Sequence, residues 1–349
     1  DEKRKPGRLT AARTRCGADE RGEKNPAPAP HRPTYPLSLR NPQQSAMKNR
    51  QTTYHLLALL SMILWGTTFV STKVLLSAGL SPAYIMLYRF LLAYAGLRIL
   101  SRERLFAASL RDELLMAAGG LCGGSLYFLA ENNALRITQV SNVSILIATA
   151  PVLTALFSHL WLRSEKIARQ LVAGSFISLA GAVLVVLNGN FVLRLNPAGD
   201  GLALLGAALW ALYGVVLGKL SDRYSTLLIT RKVFFYGIVT LLPALLADPA
   251  GPRFALLARP AVWLNLLFLG TVASLGCYLM WNKAVRELGA VRSASYLYIN
   301  PIVALLTSHL ILGETITPVA ALGAALILGG VYISERRRIG HPGPPPGRK

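Results

Sequence analysis

Long apolar segments recur along most of the chain and are separated by short connections that carry the polar and charged residues. A helix of about 20 apolar residues crosses the hydrocarbon core of a bilayer, where every backbone group must be hydrogen-bonded internally. The pattern therefore predicts an all-α polytopic membrane protein with ten transmembrane helices, at 54–76, 83–100, 114–135, 140–162, 171–192, 202–220, 227–247, 262–285, 293–312 and 317–334.

Composition and charge agree with a membrane protein and predict its orientation. Of the 349 residues, 53% are hydrophobic and only 15% are charged, whereas a soluble domain is about 25% charged. The net charge of +21 could indicate nucleic-acid binding, but the basic residues gather at the ends of apolar segments, so no nucleic-acid partner is expected. With the N-terminus inside, the inner connections carry 16 Lys and Arg residues and the outer connections carry five. This asymmetry predicts cytoplasmic termini. We expect a bacterial inner-membrane location, with the lipid bilayer as a partner.

The two ends of the chain differ from the apolar body. Residues 1–46 contain ten Lys or Arg, five Asp or Glu and seven Pro, and they lack the apolar residues needed to form a core. We therefore expect a disordered basic extension at 1–53, with Met47 as the candidate true start, and a disordered cytoplasmic tail at 335–349. The two halves of the body, 54–193 and 194–334, are predicted to be separate five-helix repeats.

An internal repeat supports this division. Residues 126–162 align with 276–312 at a constant offset of 150, and polar residues match along with apolar ones: Asn132 with Asn282, Arg136 with Arg286, Pro151 with Pro301 and His159 with His309. Each half has an odd number of predicted spans, so the second half must cross the membrane in the opposite sense. Such a 5+5 inverted repeat is typical of secondary transporters, whose substrate site lies near the midplane between the halves.

Five short motifs also stand in a fixed order along the chain: 64–70 (LWGTTFV), 89–90 (RF), 134–136 (ALR), 148–151 (ATAP) and 312–314 (LGE). In order and spacing they resemble the EamA branch of the drug/metabolite transporter (DMT) superfamily, over roughly residues 54–334. The resemblance implies ten helices in a five-plus-five inverted repeat and the export or exchange of small metabolites. In the first half the expected Gly-Glu after the fourth span is replaced by Arg163-Ser164-Glu165, which affects only the expected loop conformation.

Charged residues within apolar spans are candidate transport residues, because a charge in the bilayer costs at least about 2.5–3.5 kcal/mol. Glu131 is a candidate proton-coupling or substrate-cation group; alternatively, it is an interfacial residue one turn from Arg136, or it is paired with another base. Arg89 is a candidate for holding an anionic substrate group or a helix carbonyl near the cavity, or it is an anchor that extends to the interface. For Arg231 and Lys232, extension to the interface is the favoured interpretation.

Aromatic and amide side chains supply the rest of the predicted substrate site, because Trp and Tyr combine flat apolar faces with a hydrogen-bonding group. The candidates are Trp65, Asn132, Trp210, Tyr213, Trp281, Asn282, Tyr296, Tyr298 and Asn300; the alternatives are packing and an interfacial aromatic belt. Pro151 and Pro301 are predicted to interrupt their helices, because proline removes a backbone donor. Gly119–Gly120 and Gly123–Gly124 have the spacing of closely packed helices.

Three classes of function follow from these residues. The favoured one is a secondary transporter that moves a small metabolite, an amino acid or similar molecule, across the inner membrane by proton-coupled export. The alternatives are an integral-membrane enzyme and a non-transporting membrane scaffold. The sequence has no GxSxG or HExxH motif and no GxxxxGK[ST] loop. We therefore expect no enzyme, no cofactor, no metal and no nucleotide, with a small-molecule substrate and protons as partners.

Overall fold

A computed structural model describes residues 42–101, 103, 106–138, 140–162, 169–187, 196–312 and 315–335. The chain divides into two compact units, Asp1–Ser45 and Ala46–Lys349. In the first unit only the beginning of one helix, from Pro42, is described, so the predicted disorder of 1–41 lies outside the described residues, as does that of 336–349.

The described part of the chain is helical and contains no strand. Its α-helices are α1 (Pro42–Ser77), α2 (Pro82–Leu100), α3 (Leu110–Gly120), α4 (Leu126–Ile137), α5 (Val140–Ile147), α6 (Ala150–Leu162), α7 (Arg169–Leu187), α8 (Pro197–Leu220), α9 (Thr226–Leu246), α10 (Pro260–Leu267), α11 (Cys277–Leu288), α12 (Ala290–Ala294), α13 (Ile299–Leu312) and α14 (Pro318–Glu335). Two π-helical segments, Leu121–Ser125 and Phe268–Gly276, and two 3₁₀ segments, Phe254–Ala258 and Ser295–Tyr298, complete them.

The N-terminal boundary differs from the prediction, because α1 begins at Pro42, inside the segment 1–53 that was expected to be disordered. After Pro42 the chain has no further Pro and no Gly before Gly66. A helix that is nucleated in the apolar segment can therefore extend towards the N-terminus through the polar residues. Each residue that joins the helix adds one backbone hydrogen bond, so extension costs less than nucleation.

Six helices in the described residues are long and apolar enough to cross a membrane: Pro82–Leu100, Leu110–Ala134, Arg169–Leu187, Pro197–Leu220, Thr226–Leu246 and Pro260–Leu288. Two shorter apolar helices follow, at Ile145–Trp161 and Pro318–Ser334. The all-helical membrane fold is thereby confirmed, and the count of ten stays a prediction.

Polar caps in the connections determine where several helices begin. The hydroxyl groups of Ser81, Ser109 and Ser225 accept hydrogen bonds from backbone N–H groups three residues later, and the Asn196 side chain does the same for α8. These bonds satisfy N–H groups that have no partner within the helix. Proline at the first position of α2 and α8 adds a backbone angle that already suits a helix.

The last helices of the two repeats, α7 and α14, pack against each other through glycines. A Cβ atom at Gly181 would lie 2.5 Å from the Gly323 carbonyl oxygen, and one at Gly330 would lie 2.5 Å from that of Gly174. The contacting residue numbers increase along α7 while they decrease along α14, so the two helices are antiparallel. Gly174 aligns with Gly323 in the repeat, and Gly181 aligns with Gly330. Equivalent helices therefore run in opposite directions, as an inverted repeat requires.

The third and eighth predicted spans are interrupted at matching places. The π-helical segment Leu121–Ser125 joins α3 to α4, and Gly124 within it has non-helical angles (φ −120°, ψ −106°). The π-helical segment Phe268–Gly276 joins α10 to α11. When the repeat offset of 150 is added to the residue numbers of the first segment, the resulting positions lie within the second segment. Such segments are rare and often lie at functional sites.

We expect Gly330→Ala to destabilise the protein by about 1–3 kcal/mol, which would lower the thermal unfolding midpoint measured in detergent. The new Cβ would meet backbone of α7, which cannot move aside as a flexible side chain can. Gly329→Ala is the matched control, because nothing lies within 4 Å of its Cβ and alanine favours the helix over glycine by about 1 kcal/mol. Equal shifts in the two variants would contradict the close packing of α7 and α14.

Candidate functional site

A cluster of aromatic rings lies where the two repeats meet. Trp65 of α1 contacts Trp210 of α8, with ring centroids 5.5 Å apart, and Tyr278 and Trp281 of α11, at 5.4 and 5.7 Å. Trp210 also contacts Tyr213, at 5.4 Å. Four of the predicted site residues, Trp65, Trp210, Tyr213 and Trp281, are thus brought together. We refer to these four residues with Tyr278 as the aromatic cluster.

Arg89 of α2 is buried beside the aromatic cluster and does not extend to an interface. Its Nε–H donates to the Ser274 hydroxyl at 2.9 Å, and its guanidinium carbon lies 4.9 Å from the centroid of the Phe128 ring. Ser274 belongs to the second π-helical segment. A first-repeat cation therefore holds an interrupted helix of the second repeat, and the cation is stabilised by a ring face.

Glu131 lies on α4, one helical turn after Tyr127. The Tyr127 hydroxyl donates to the Glu131 carboxylate at 3.3 Å, and the Tyr127 ring contacts Trp210 at a centroid distance of 5.1 Å. Glu131 interacts electrostatically with Arg89, but the two form no ion pair in the part of the chain that the structure describes. The carboxylate is thus connected to the aromatic cluster through one tyrosine, with an opposite charge nearby.

A chain of hydrogen bonds fixes one side of the aromatic cluster. The Tyr213 hydroxyl donates to Asn282 Oδ1 at 2.6 Å, and Asn282 Nδ2 donates to the Thr230 hydroxyl at 2.9 Å. Thr230 in turn donates to the Thr226 carbonyl. Asn282 is fully buried, and both ends of its amide have partners. The predicted site residues Tyr213 and Asn282 therefore join helices α8, α9 and α11.

The remaining predicted residues lie in several places. Asn132 is half-buried on α4, next to Glu131. The Tyr296 hydroxyl lies 2.5 Å from His55 Nδ1, which ties a 3₁₀ segment to α1. Tyr298 packs in a different apolar cluster, with Ala148, Ala182 and Ile327.

Asn300 and the two prolines lie at the interruptions of the fourth and ninth predicted spans. The Oδ1 atom of Asn300 is buried and has no hydrogen-bond partner in the described structure. Pro151 and Pro301 each lie in the first turn of a helix, α6 and α13, which follows an interruption of the span. In that position a proline has no hydrogen bond to break.

Sequence reasoning missed Tyr127, Ser274 and Tyr278. Tyr278 is fully buried at the centre of the aromatic cluster, and its hydroxyl donates to the Gly123 carbonyl at 2.7 Å. The available signal was its position in the aligned segment, where it matches Phe128 at the offset of 150. A ring that gains a hydroxyl in a membrane interior needs a partner for it.

A second polar cluster lies at the end of the bundle that the predicted topology places in the cytoplasm. Lys232 is fully buried and paired with Glu113 of α3, and its ammonium lies 4.8, 5.7 and 5.3 Å from the ring centroids of Phe106, Phe235 and Tyr236. Tyr236 also donates to Glu113. Asp112 accepts from Arg223 at 2.8 Å and from the Tyr224 hydroxyl at 2.9 Å.

Arg231 lies at the same end of the bundle and binds backbone carbonyl groups. It donates to the carbonyl groups of Ser101, at the end of α2, and of Glu103, both at 3.0 Å. The expectation that Arg231 and Lys232 extend to the interface is therefore wrong. Partners from the first repeat lie close enough to stabilise both charges inside the protein, which is the alternative to reaching water.

Among the described residues, no group of three or more His, Cys, Asp or Glu residues could hold a metal ion. The polar groups at the centre are hydrogen-bond donors and acceptors, a cation and a carboxylate, next to flat apolar rings. This arrangement can bind a small amphipathic molecule by its charges and its apolar body.

Comparisons with known proteins agree with this picture. The model of the EamA-like transporter family matches the chain twice, at residues 52–187 and 197–335. An uncharacterized transporter of Archaeoglobus fulgidus is 30% identical over 289 residues, which cover 81% of this chain and 98% of the relative. A crystal structure that covers 83% of this chain and 99% of its own has a TM-score of 0.65 at 21% identity, and it supports the fold alone.

Two further relatives have names that include a cargo. A "Probable terminal-alkyne amino-acid exporter" of Streptantibioticus cattleyicolor is 29% identical and covers 80% of this chain and 93% of its own. A "Probable amino-acid metabolite efflux pump" of Salmonella typhimurium is 26% identical, with coverages of 80% and 93%.

We expect Glu113→Gln to destabilise the protein by about 3–5 kcal/mol, because it leaves the fully buried Lys232 ammonium without a counter-charge. Adding Lys232→Met to that variant should restore most of the lost stability, since the pair is then replaced by groups without charge. Thermal unfolding midpoints in detergent measure both effects. If the double variant is less stable than Glu113→Gln, the buried pair does not act as proposed.

Proposed function

The chain belongs to the EamA-like transporter family and is a multi-pass membrane transporter, and on that premise we propose that it exports a small amphipathic metabolite, of the amino-acid type, by proton-coupled alternating access. We further propose that it lies in a bacterial inner membrane with both termini in the cytoplasm, and that it is not an enzyme. The names of the two amino-acid exporters support the cargo class.

One observation carries the proposal: a carboxylate and a guanidinium of opposite charge stand beside the aromatic cluster between the repeats. Glu131 reaches the cluster through Tyr127, whose ring contacts Trp210. Arg89 reaches it through Phe128, whose ring contacts that of Tyr127 at 4.9 Å. An amino acid carries the complementary pair of charges and an apolar or amphipathic body.

Each group has a role that follows from its chemistry. The guanidinium of Arg89 binds the substrate carboxylate, because its planar donors match the two oxygens of that group. The rings of Trp65, Trp210 and Trp281 hold the apolar body. In this conformation those rings pack against one another, so they must separate to admit a substrate.

Glu131 is proposed to carry the coupling proton. A carboxylate in a membrane interior is costly, and protonation removes that cost. A group that is charged in one state and neutral in the other ties proton transfer to the movement of the site. The Tyr127 hydroxyl donates to the charged form and therefore helps to hold it in the conformation described here.

We expect Glu131→Gln to abolish the response of amino-acid flux to an imposed pH gradient, while exchange of labelled for unlabelled amino acid without a gradient persists. The glutamine retains the size and the acceptor for Tyr127 but cannot titrate. The measurement uses reconstituted vesicles, with Trp263→Ala as the control, because Trp263 is exposed on the outer surface of α10. Equal responses of the two variants to the gradient would remove Glu131 from the coupling role, and hydrolysis of the substrate without flux would indicate an enzyme.

A further inference from the structure

The two π-helical segments present equivalent carbonyl groups. Gly123 and Ala273 match at the repeat offset of 150, and each lies inside its segment. The Trp65 indole N–H donates to the Ala273 carbonyl at 2.8 Å, and the Tyr278 hydroxyl donates to the Gly123 carbonyl at 2.7 Å. A π-helical turn shifts the backbone pairing away from the regular pattern, and in each segment one carbonyl accepts a side-chain hydrogen bond from the other repeat.

The two donors are not equivalent, although the carbonyls are. Trp65 has a repeat counterpart in Trp210, because the pair Leu64-Trp65 matches Leu209-Trp210. Strict symmetry would therefore have Trp210 donate to Gly123. In the described structure it is Tyr278 that donates to the Gly123 carbonyl, and Trp210 instead packs on Tyr127 and Tyr213. The aromatic cluster is thus asymmetric at this one hydrogen bond.

We propose that Trp65 and Trp210 are paired positioning residues, each of which holds the π-helical segment of the opposite repeat in one of the two states of the transporter. In the state described here, the Trp65 indole donates a hydrogen bond to the Ala273 carbonyl, and the Tyr278 hydroxyl donates one to the Gly123 carbonyl. In the other state Trp210 donates to Gly123, Tyr278 leaves it, and Trp65 releases Ala273. The inference rests on the proposed alternating access, in which inverted repeats exchange their conformations.

A native cysteine beside the cluster reports the exchange. Cys277 is fully buried here, and its repeat counterpart at the offset of 150, Tyr127, is partly exposed. When the repeats exchange conformations, Cys277 takes the environment that Tyr127 has now. Its rate of alkylation therefore rises with the population of the second state, whether or not a substrate is known.

The test uses full-length protein in lipid nanodiscs with Cys16→Ser and Cys122→Ser, so that N-ethylmaleimide reacts with Cys277 alone. Trp65→Phe and Tyr278→Phe each remove one donor of the described state and should raise the alkylation rate about fivefold, the equivalent of a hydrogen bond of about 1 kcal/mol. Trp210→Phe removes the donor of the second state, so its rate should equal or fall below that of the parent. Trp263→Phe is the surface control and should leave the rate unchanged.

The comparison of Trp65→Phe with Trp210→Phe separates a positioning role from packing. Both replacements remove the same atoms, and both rings contact Tyr278, so lost packing would raise the rate in both. Equal increases in the two variants, or an increase in Trp210→Phe alone, would overturn the inference. Tyr278→Phe removes a single oxygen atom and keeps the test decisive if a tryptophan variant does not fold. Absence of amino-acid flux in the parent protein would refute the proposed function, whereas the alkylation rates test the exchange separately.

Discussion

The structure depends on the requirement that backbone groups in hydrocarbon find partners within the protein. Regular helices meet this requirement by themselves, but the segments Leu121–Ser125 and Phe268–Gly276 do not follow the regular pattern. Their carbonyls at Gly123 and Ala273 receive hydrogen bonds from Tyr278 and Trp65, and each of these bonds crosses from one repeat to the other. Hydrogen bonds from each repeat to the interrupted helix of the other therefore help to hold the two repeats together.

Polar residues at one end of the bundle also join the two repeats. Lys232 and Arg231 come from the second repeat, and their partners Glu113, Ser101 and Glu103 come from the first. Charges that are buried in this manner are expensive unless paired, so separation of these helices would leave an ammonium and a carboxylate unpartnered. The centre of the molecule has aromatic contacts and single hydrogen bonds instead, which can be exchanged at lower cost. Ion pairs at one end with exchangeable contacts at the centre suit a bundle that changes conformation around its middle.

Much of the fold could be predicted from the sequence, because hydrophobic length and repeated residues are local signals. The helical membrane class and the two-repeat architecture are confirmed by the helices and by the double match to the family. The rings of Trp65, Trp210, Tyr213 and Trp281 contact one another in the structure, and their role in substrate binding stays a prediction. The π-helical segments were not predicted, and the hydrogen bond from Tyr278 to Gly123 joins residues that are 155 positions apart, beyond the reach of a local pattern. Burial of Lys232 was missed for the same reason: its counter-charge, Glu113, is 119 positions away.

The glycine contact between α7 and α14 has a consequence for how such a chain can arise. Gly174 meets Gly330 and Gly181 meets Gly323, and these four positions are two repeat-related pairs. Exchanging the two helices therefore returns the same set of contacts. A surface with that property is isologous: it fits a second copy of itself turned over, and a covalent connection between the copies is not needed for the fit. A half-length polypeptide with this helix face, inserted in both orientations, already carries the contact that would join it to its own inverted twin.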